Sequence, residues 1–146
     1  EVKRIWLMGK NRAVPYPDKL ISTPKNFKTV IRALHKKYTL AVVTSRVRGG
    51  VFSLQQLVNL KRLFKTTIYY EDTTRHKPEP DPLLLAAKKL RINPEEAVYI
   101  GDTQTDVKAA KAAGMKILIY SKSELTGADA CTSVFEQIPD LIRDLN

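Results

Sequence analysis

The sequence has very little of what disulfides and zinc sites need. Cys131 is the one cysteine, and His35 and His76 are the two histidines. A single cysteine excludes an internal disulfide, so a reducing, cytoplasmic setting is expected. A zinc centre would have almost no ligands to draw on.

Long apolar runs are also missing. No stretch approaches the roughly 20 residues that cross a bilayer, and the opening Glu1-Val2-Lys3-Arg4 does not begin a signal peptide. We therefore expect no membrane partner. The 146 residues, 43% of them hydrophobic, suit one compact domain.

Acidic residues are in the minority, since 15 Asp and Glu stand against 25 Lys and Arg, for a formal net charge of +10. Such a balance favours anionic partners, namely nucleic acid, acidic lipid or phosphorylated metabolites. The basic residues are scattered over segments that are predicted as polar faces of helices. We expect a solvated surface, with a genuine anion-binding field as the alternative.

Short apolar runs alternate with amphipathic stretches, which is typical of an α/β protein with a doubly wound, Rossmann-like parallel sheet. Strands are expected at 39–44, 67–70, 97–101 and 115–120. Helices are expected after Thr23-Pro24, around 54–60, from about Asp81, at about 105–113 and at about 134–145. Gly114 is expected to end the fourth of these helices.

In such sheets ligands bind beyond the carboxyl ends of the strands. Three groups of polar residues are predicted there: Thr44-Ser45, Lys77, and Asp102 with Asp106 four residues later. Two carboxylates with water or substrate suit Mg²⁺, although Asp is equally a good helix N-cap. Lys77 and Thr44 could bind a phosphate, although a loop lysine is usually solvated and a threonine simply favours strands.

Taken together and in this order, these segments resemble the second, third and fourth motifs of the haloacid dehalogenase superfamily. The likeness runs from about Tyr16 to Tyr120 and is greatest to the phosphoglycolate phosphatase and β-phosphoglucomutase type. It is carried by a strand ending in Val43-Thr44-Ser45, by Lys77-Pro78-Glu79-Pro80, by Gly101-Asp102 with Asp106, by the Ala-rich helix with Gly114-Met115, and by Tyr16-Pro17 upstream.

The resemblance implies a Mg²⁺-dependent phosphohydrolase that acts on a small phosphorylated metabolite through an aspartyl-phosphate. Thr44 and Ser45 would bind the transferring phosphoryl group, and Lys77 would stabilise its charge. Asp102 would hold Mg²⁺, and Asp106 would ligate the ion or orient its shell.

One motif of the family is missing, because no Asp-x-Asp occurs anywhere in the sequence. The attacking aspartate and the acid–base aspartate therefore have no counterpart. The explanations are a chain truncated before the second motif, a non-catalytic relative, or a partner chain that supplies the first motif. We favour truncation, with residues 1–15 as a cap-domain remnant or an edge strand and residues 16–146 as the core domain.

The missing motif has a structural consequence, because in the family its strand lies between those of the second and fourth motifs. Without it, these two strands expose edges, pair with each other or pair with another chain. We expect Val2 to Met8, or a second copy in a homodimer or domain-swapped pair, to fill the gap. Direct pairing of the two strands would contradict this.

Three other classes remain as alternatives. A receiver domain has a similar fold, but its functional order is Asp, Thr, Lys, whereas here Thr44 precedes Lys77 and Asp102. A basic nucleic-acid-binding module is disfavoured, because no aromatic-studded basic strand or basic recognition helix stands out. A non-catalytic phosphate-binding or interaction domain gains weight from the missing aspartate.

Overall fold

The computed structural model describes residues 23–48, 51 and 59–145. Helices α1 to α4 cover Phe27–His35, Asp81–Leu90, Gln104–Ala113 and Ile138–Leu145, and strands β1 to β5 cover Leu40–Val43, Phe64–Ile68, Val98–Gly101, Lys116–Tyr120 and Ala130–Thr132. Short 3-10 helices lie at Lys61–Leu63, Tyr70–Asp72, Pro94–Glu96 and Phe135–Gln137. Across these ranges no helix is both long and apolar enough to span a membrane.

All the described strands pair in parallel, and this confirms the predicted α/β class. β1 pairs with β2, and β4 lies between β3 and β5. The register sets Val43 beside Ile68 at the end of the first pair and Gly101 beside Ile119 at the end of β3. The predicted Thr44 and Asp102 therefore each follow the carboxyl end of a strand.

Helices cover both faces of the strands, as the alternating pattern predicts. Ile117 and Ile119 of β4 pack with α2 and α3 on one face, whereas Leu118 packs with α1 and α4 on the other. All three side chains are fully buried, and each such burial stabilises the fold by about 1.5–3 kcal/mol. The strands thus form the middle of three layers.

The two sheets do not join, because β1 and β3 are not paired with each other in the described part of the chain. Both strands nevertheless pack against the same two clusters, through Val43 and Tyr99 on one face and Leu40 and Val98 on the other. Every residue of β1 and β3 stays half-buried. Within the described residues each of these two strands is therefore paired along one edge only, and β1 and β3 do not pair directly, which would have contradicted the expected gap. Residues 1–15, with Val2 to Met8, and Tyr16-Pro17 lie outside the described residues.

Some predicted boundaries were wrong. Thr23-Pro24 was expected to begin the first helix, but α1 begins only at Phe27. Its N-cap is Asn26, which has the left-handed conformation (φ 57°). β2 starts at Phe64 and ends at Ile68, because the chain then enters the 3-10 turn at Tyr70. β5, which contains Cys131, was not predicted, since three residues are too few to show a period of two. Most of the helix expected around 54–60 lies outside the described ranges.

Candidate functional site

A buried cluster of Lys77, Tyr99 and Asp106 lies at the carboxyl end of β3. The Lys77 ammonium donates to Asp106 Oδ1 at 2.7 Å and to the Tyr99 hydroxyl oxygen at 3.0 Å. The Tyr99 hydroxyl in turn donates to Asp106 Oδ1 at 3.2 Å. The side chains of Lys77 and Asp106 are only 14% and 4% exposed, so this ion pair is largely removed from water and gains strength from it.

The other carboxylate oxygen of Asp106 organises the start of α3. Asp106 Oδ2 accepts from the backbone N–H of Asp102 and of Thr103, each at 3.1 Å, and from the Thr103 hydroxyl at 2.7 Å. Thr103 Oγ1 accepts from the Asp106 N–H in return, which completes a capping box. Asp106 therefore both caps α3 and pairs with Lys77, although the sequence had offered capping and a role in the site as alternatives.

Asp106 is saturated with hydrogen bonds, because five donors already point at its two oxygens. A carboxylate offers about four lone-pair sites. Of the two roles that the resemblance implies for Asp106, this geometry therefore favours orienting the site over binding a metal directly.

Asp102 has the opposite character, since its side chain points into solvent and only its backbone N–H is held by Asp106. In the portion of the chain that the structure covers, no group of three or more His, Cys, Asp or Glu is placed to hold a metal. One exposed carboxylate still suits Mg²⁺, which keeps several waters and takes the rest of its shell from substrate oxygens.

Gly101 is required by this packing. A Cβ built on Gly101 would lie 2.4 Å from Asp106 Cβ and 2.7 Å from Asp106 Cγ. Any side chain at this position would therefore push Asp106 away from the end of β3. The glycine before Asp102 is what allows the first turn of α3 to pack against the strand.

Thr44 and Ser45 follow β1, on the other sheet. The Thr44 N–H donates to Ile68 O at 2.9 Å, and Thr44 Oγ1 accepts from the Arg46 N–H at 3.1 Å. Ser45 is exposed. Within the described residues neither forms a hydrogen bond with Lys77 or Asp102, so hydrogen bonds join Lys77 to Asp106 but do not join Thr44 or Ser45 to them.

The loop that leads to Lys77 is held from both sides. His76 stacks on Tyr70 with ring centroids 3.8 Å apart, and Arg75 Nε donates to Asp81 Oδ1 at 3.0 Å. A cavity of about 350 Å³, lined by the loop, opens beside His76. Lys77 itself precedes a cis peptide bond to Pro78.

Tyr99 was missed by the sequence analysis. The Tyr99 hydroxyl bridges Lys77 and Asp106. The Lys77 Nζ also lies over the Tyr99 ring, 5.5 Å from the ring centroid. The available signal was its place in β3, two residues before Gly101, which puts both residues on one face of the strand.

The pKa values of the cluster reflect its closed network. Burial opposes the charge of Asp106, but hydrogen bonds from Lys77 and Thr103 outweigh it, so the pKa of Asp106 is lowered. Burial likewise opposes the charge of Lys77, yet its contacts with Tyr99 and Asp106 leave the pKa of Lys77 raised. Burial raises the pKa of Tyr99 to about 12. Near neutral pH the cluster therefore holds an ammonium, a phenol and a carboxylate.

The lowered pKa of Asp106 predicts an acid-sensitive stability. A carboxyl whose pKa falls on folding stabilises the fold above its unfolded pKa, and that contribution disappears as pH falls through the folded value. We expect the free energy of unfolding to decrease below about pH 4, and to decrease less steeply in Asp106→Asn. Denaturant titrations from pH 2 to 6 test this, and equal slopes for the two proteins would contradict it.

Comparison with known proteins identifies the family of the chain. The family model described as "Haloacid dehalogenase-like hydrolase" matches residues 11–120. The phosphoglycolate phosphatase of Escherichia coli (strain K12) is 37% identical over 111 residues, which are 73% of this chain and 44% of the relative. The chain therefore belongs to the haloacid dehalogenase-like hydrolase family. It spans less than half the length of this relative.

Solved structures show the same fold. A HAD-superfamily hydrolase, subfamily IA, from Geobacter sulfurreducens has a TM-score of 0.76 at 28% identity, with 86% of this chain and 58% of that one covered. CbbY from Rhodobacter sphaeroides, crystallised in complex with phosphate, has a TM-score of 0.71 at 24% identity, with 79% and 55% covered. The second comparison supports the fold alone.

Proposed function

We propose that this chain supplies the phosphate-binding and Mg²⁺-binding residues of an enzyme that hydrolyses phosphate esters of small metabolites. The observation that carries the proposal is Lys77, fixed by a buried carboxylate beside the exposed Asp102 at the carboxyl end of β3. The similarity to a phosphoglycolate phosphatase supports a phosphate ester as the substrate class.

Each residue of the site has one task in this proposal. The Lys77 ammonium neutralises the transferring phosphoryl group, which Thr44 and Ser45 bind from the other sheet. Asp102 would hold Mg²⁺, which supplies positive charge to the phosphate oxygens when bound. Asp106 keeps Lys77 charged and holds the Asp102 N–H, so that both residues stay in position.

Among the described residues, no group of three or more His, Cys, Asp or Glu that could hold a metal forms around Asp102 and Asp106, and none of these residues is assigned the role of the attacking group. We propose that the attacking group is an aspartate on a strand that lies between β1 and β3, which are not paired with each other within the described residues. The aspartate would displace the leaving alcohol to give an aspartyl-phosphate. Water would then release inorganic phosphate and restore the carboxylate.

A chimera tests this proposal directly. The part of the E. coli phosphoglycolate phosphatase that this chain does not match is fused to the chain, and Mg²⁺-dependent hydrolysis of phosphoglycolate and of 4-nitrophenyl phosphate is measured. We expect turnover that falls at least about a hundredfold in Asp102→Asn and in Lys77→Met, because each removes a charge that stabilises the transition state. The chain alone should bind inorganic phosphate with Mg²⁺ and show no turnover above its Asp102→Asn variant.

The outcomes separate the proposal from a non-catalytic phosphate-binding domain, which the missing Asp-x-Asp favours. A folded chimera that binds phosphate without turnover would support the non-catalytic alternative. Turnover by the chain alone, lost in Asp102→Asn, would show that another carboxylate such as Asp18 or Asp72 attacks. A chain that binds no phosphate with Mg²⁺ would overturn both functions.

A further inference from the structure

The positive charge of the chain is segregated along the sequence. Residues 19–70 contain 11 Lys and Arg and no Asp or Glu, whereas residues 71–146 contain 10 Lys and Arg and 13 Asp and Glu. The two segments therefore carry net charges of +11 and −3. The overall +10 arises in the part of the chain that builds α1, β1 and β2, and not in the part that contains Lys77, Asp102 and Asp106.

The structure places part of this charge on two neighbouring elements, α1 and the 3-10 helix Lys61–Leu63. Lys28, Arg32 and Lys36 are all exposed and four residues apart, which sets them about 6 Å apart along one side of α1. The 3-10 helix Lys61–Leu63 contacts α1 and exposes Lys61 and Arg62. We call these five residues the α1 basic face.

The α1 basic face has no acidic partner within the described ranges. The ion pairs found there use other cations: Arg48, Arg75, Lys77, Lys111 and Arg143. Like charges four residues apart destabilise a helix, and α1 has no acidic residue in its first turn to offset Lys28. Arg32 lies in the last turn of α1 and Lys36 at its C-cap, where the helix dipole favours a cation. Helix stability therefore accounts for these two positions but not for Lys28, Lys61 and Arg62, whereas an external polyanion would use all five.

The surroundings of the α1 basic face favour one kind of polyanion. The apolar side of α1 is buried through Val30 and Leu34, and the exposed large hydrophobic residues of the described chain, Leu84, Ile92 and Val134, lie on other elements. A helix that lies in a membrane interface needs a free apolar face. Because the aromatic Phe27 and Tyr38 at the ends of α1 pack into the core, stacking on bases is also disfavoured.

We propose that the α1 basic face binds the phosphodiester backbone of a nucleic acid without sequence preference. Backbone contacts of this kind position a protein on a duplex and carry no sequence information. Lys36 precedes β1 and Lys61–Leu63 precede β2, so the face extends toward the amino ends of these strands, away from Thr44 and Lys77. The proposal is therefore independent of the proposed phosphatase function.

Fluorescence anisotropy with the full chain and labelled 20-base-pair duplexes of arbitrary sequence, one of DNA and one of RNA, tests this. If the five cations neutralise about five phosphates, Kd should rise roughly 500-fold between 50 and 200 mM salt. The double variant Arg32→Glu/Lys36→Glu should reduce the slope of log Kd against log salt by about two. The control Lys88→Glu/Lys89→Glu makes the same charge change on α2, at exposed positions in the opposite layer, and should leave the slope unchanged.

Binding of either duplex with these slopes supports the proposal, and a preference between DNA and RNA identifies the source of the phosphodiester. Equal weakening by the two double variants would overturn it, because net charge alone would then explain the binding. Tight binding to phosphatidylserine vesicles without binding to either duplex would also overturn it. Unchanged thermal melting of both variants, followed by circular dichroism, excludes unfolding as the cause.

Discussion

Replacing Asp106 by alanine should lower the free energy of unfolding by about 3–5 kcal/mol, the cost of breaking one side of a buried ion pair. The variant leaves the Lys77 ammonium, the Thr103 hydroxyl and the N–H groups of Asp102 and Thr103 without their acceptor. Guanidinium titration at pH 7 measures the change. We expect a lower midpoint concentration of guanidinium. The slope of the unfolding free energy against guanidinium concentration should change little, because the surface exposed on unfolding is nearly the same.

Two matched variants show whether the loss comes from the buried pair. Asp102→Ala, four residues away and exposed, should change stability by at most about 0.5 kcal/mol. The double variant Lys77→Met/Asp106→Leu should be more stable than Asp106→Ala, because removing both charges leaves no buried ammonium without a partner. If Asp106→Ala costs no more than Asp102→Ala, the pair does not stabilise the fold as its burial implies.

The sequence predicts that Lys77 and Asp106 lie close together, because both were assigned to the carboxyl ends of parallel strands, and the structure brings them into contact. Lys77, Asp102 and Asp106 stand in short segments whose order and glycine and proline neighbours are informative without coordinates. Tyr99 could not be found in this way, because its role depends on its distance from Lys77, 22 residues away. A strand tyrosine has the same local signal whether it meets an ammonium or a leucine.

The fold shows the same division between local and distant information. The α/β class and most helices follow from apolar periodicity, so α2, α3 and α4 begin within a few residues of their predicted starts. The start of β2 depends on pairing with β1, where the register shifts between Leu40 and Ala41, and no local pattern encodes such a shift. Only the missing Asp-x-Asp indicated that β1 and β3 would not pair directly, and within the described residues they do not.

The distribution of charge, unlike the role of Tyr99 or the start of β2, can be read from neighbouring residues in the sequence. The basic residues stand in short, separate groups, yet Lys19 to Tyr70 is one continuous segment without Asp or Glu. Its meaning needed the structure, since only the packing of α1 against Lys61–Leu63 turns a compositional bias into a surface. The uneven distribution of positive and negative residues along the chain therefore indicates an anionic partner more specifically than the net charge does.

Substituting alanine for Gly101 should destabilise the protein by about 3 kcal/mol, the upper end for overpacking, because the new Cβ would lie 2.4 Å from Asp106 Cβ. Neither atom belongs to a flexible side-chain end, so the strand or the helix must move.

Gly114→Ala is the matched control, with φ of +75° and nothing within 4 Å of the added Cβ, and its left-handed backbone should cost only about 1–2 kcal/mol. Displacing Asp106 should also weaken the acid dependence of unfolding in Gly101→Ala but not in Gly114→Ala. If Gly101→Ala and Gly114→Ala lose the same stability and show the same acid dependence of unfolding, the position of Asp106 does not depend on its close packing against Gly101.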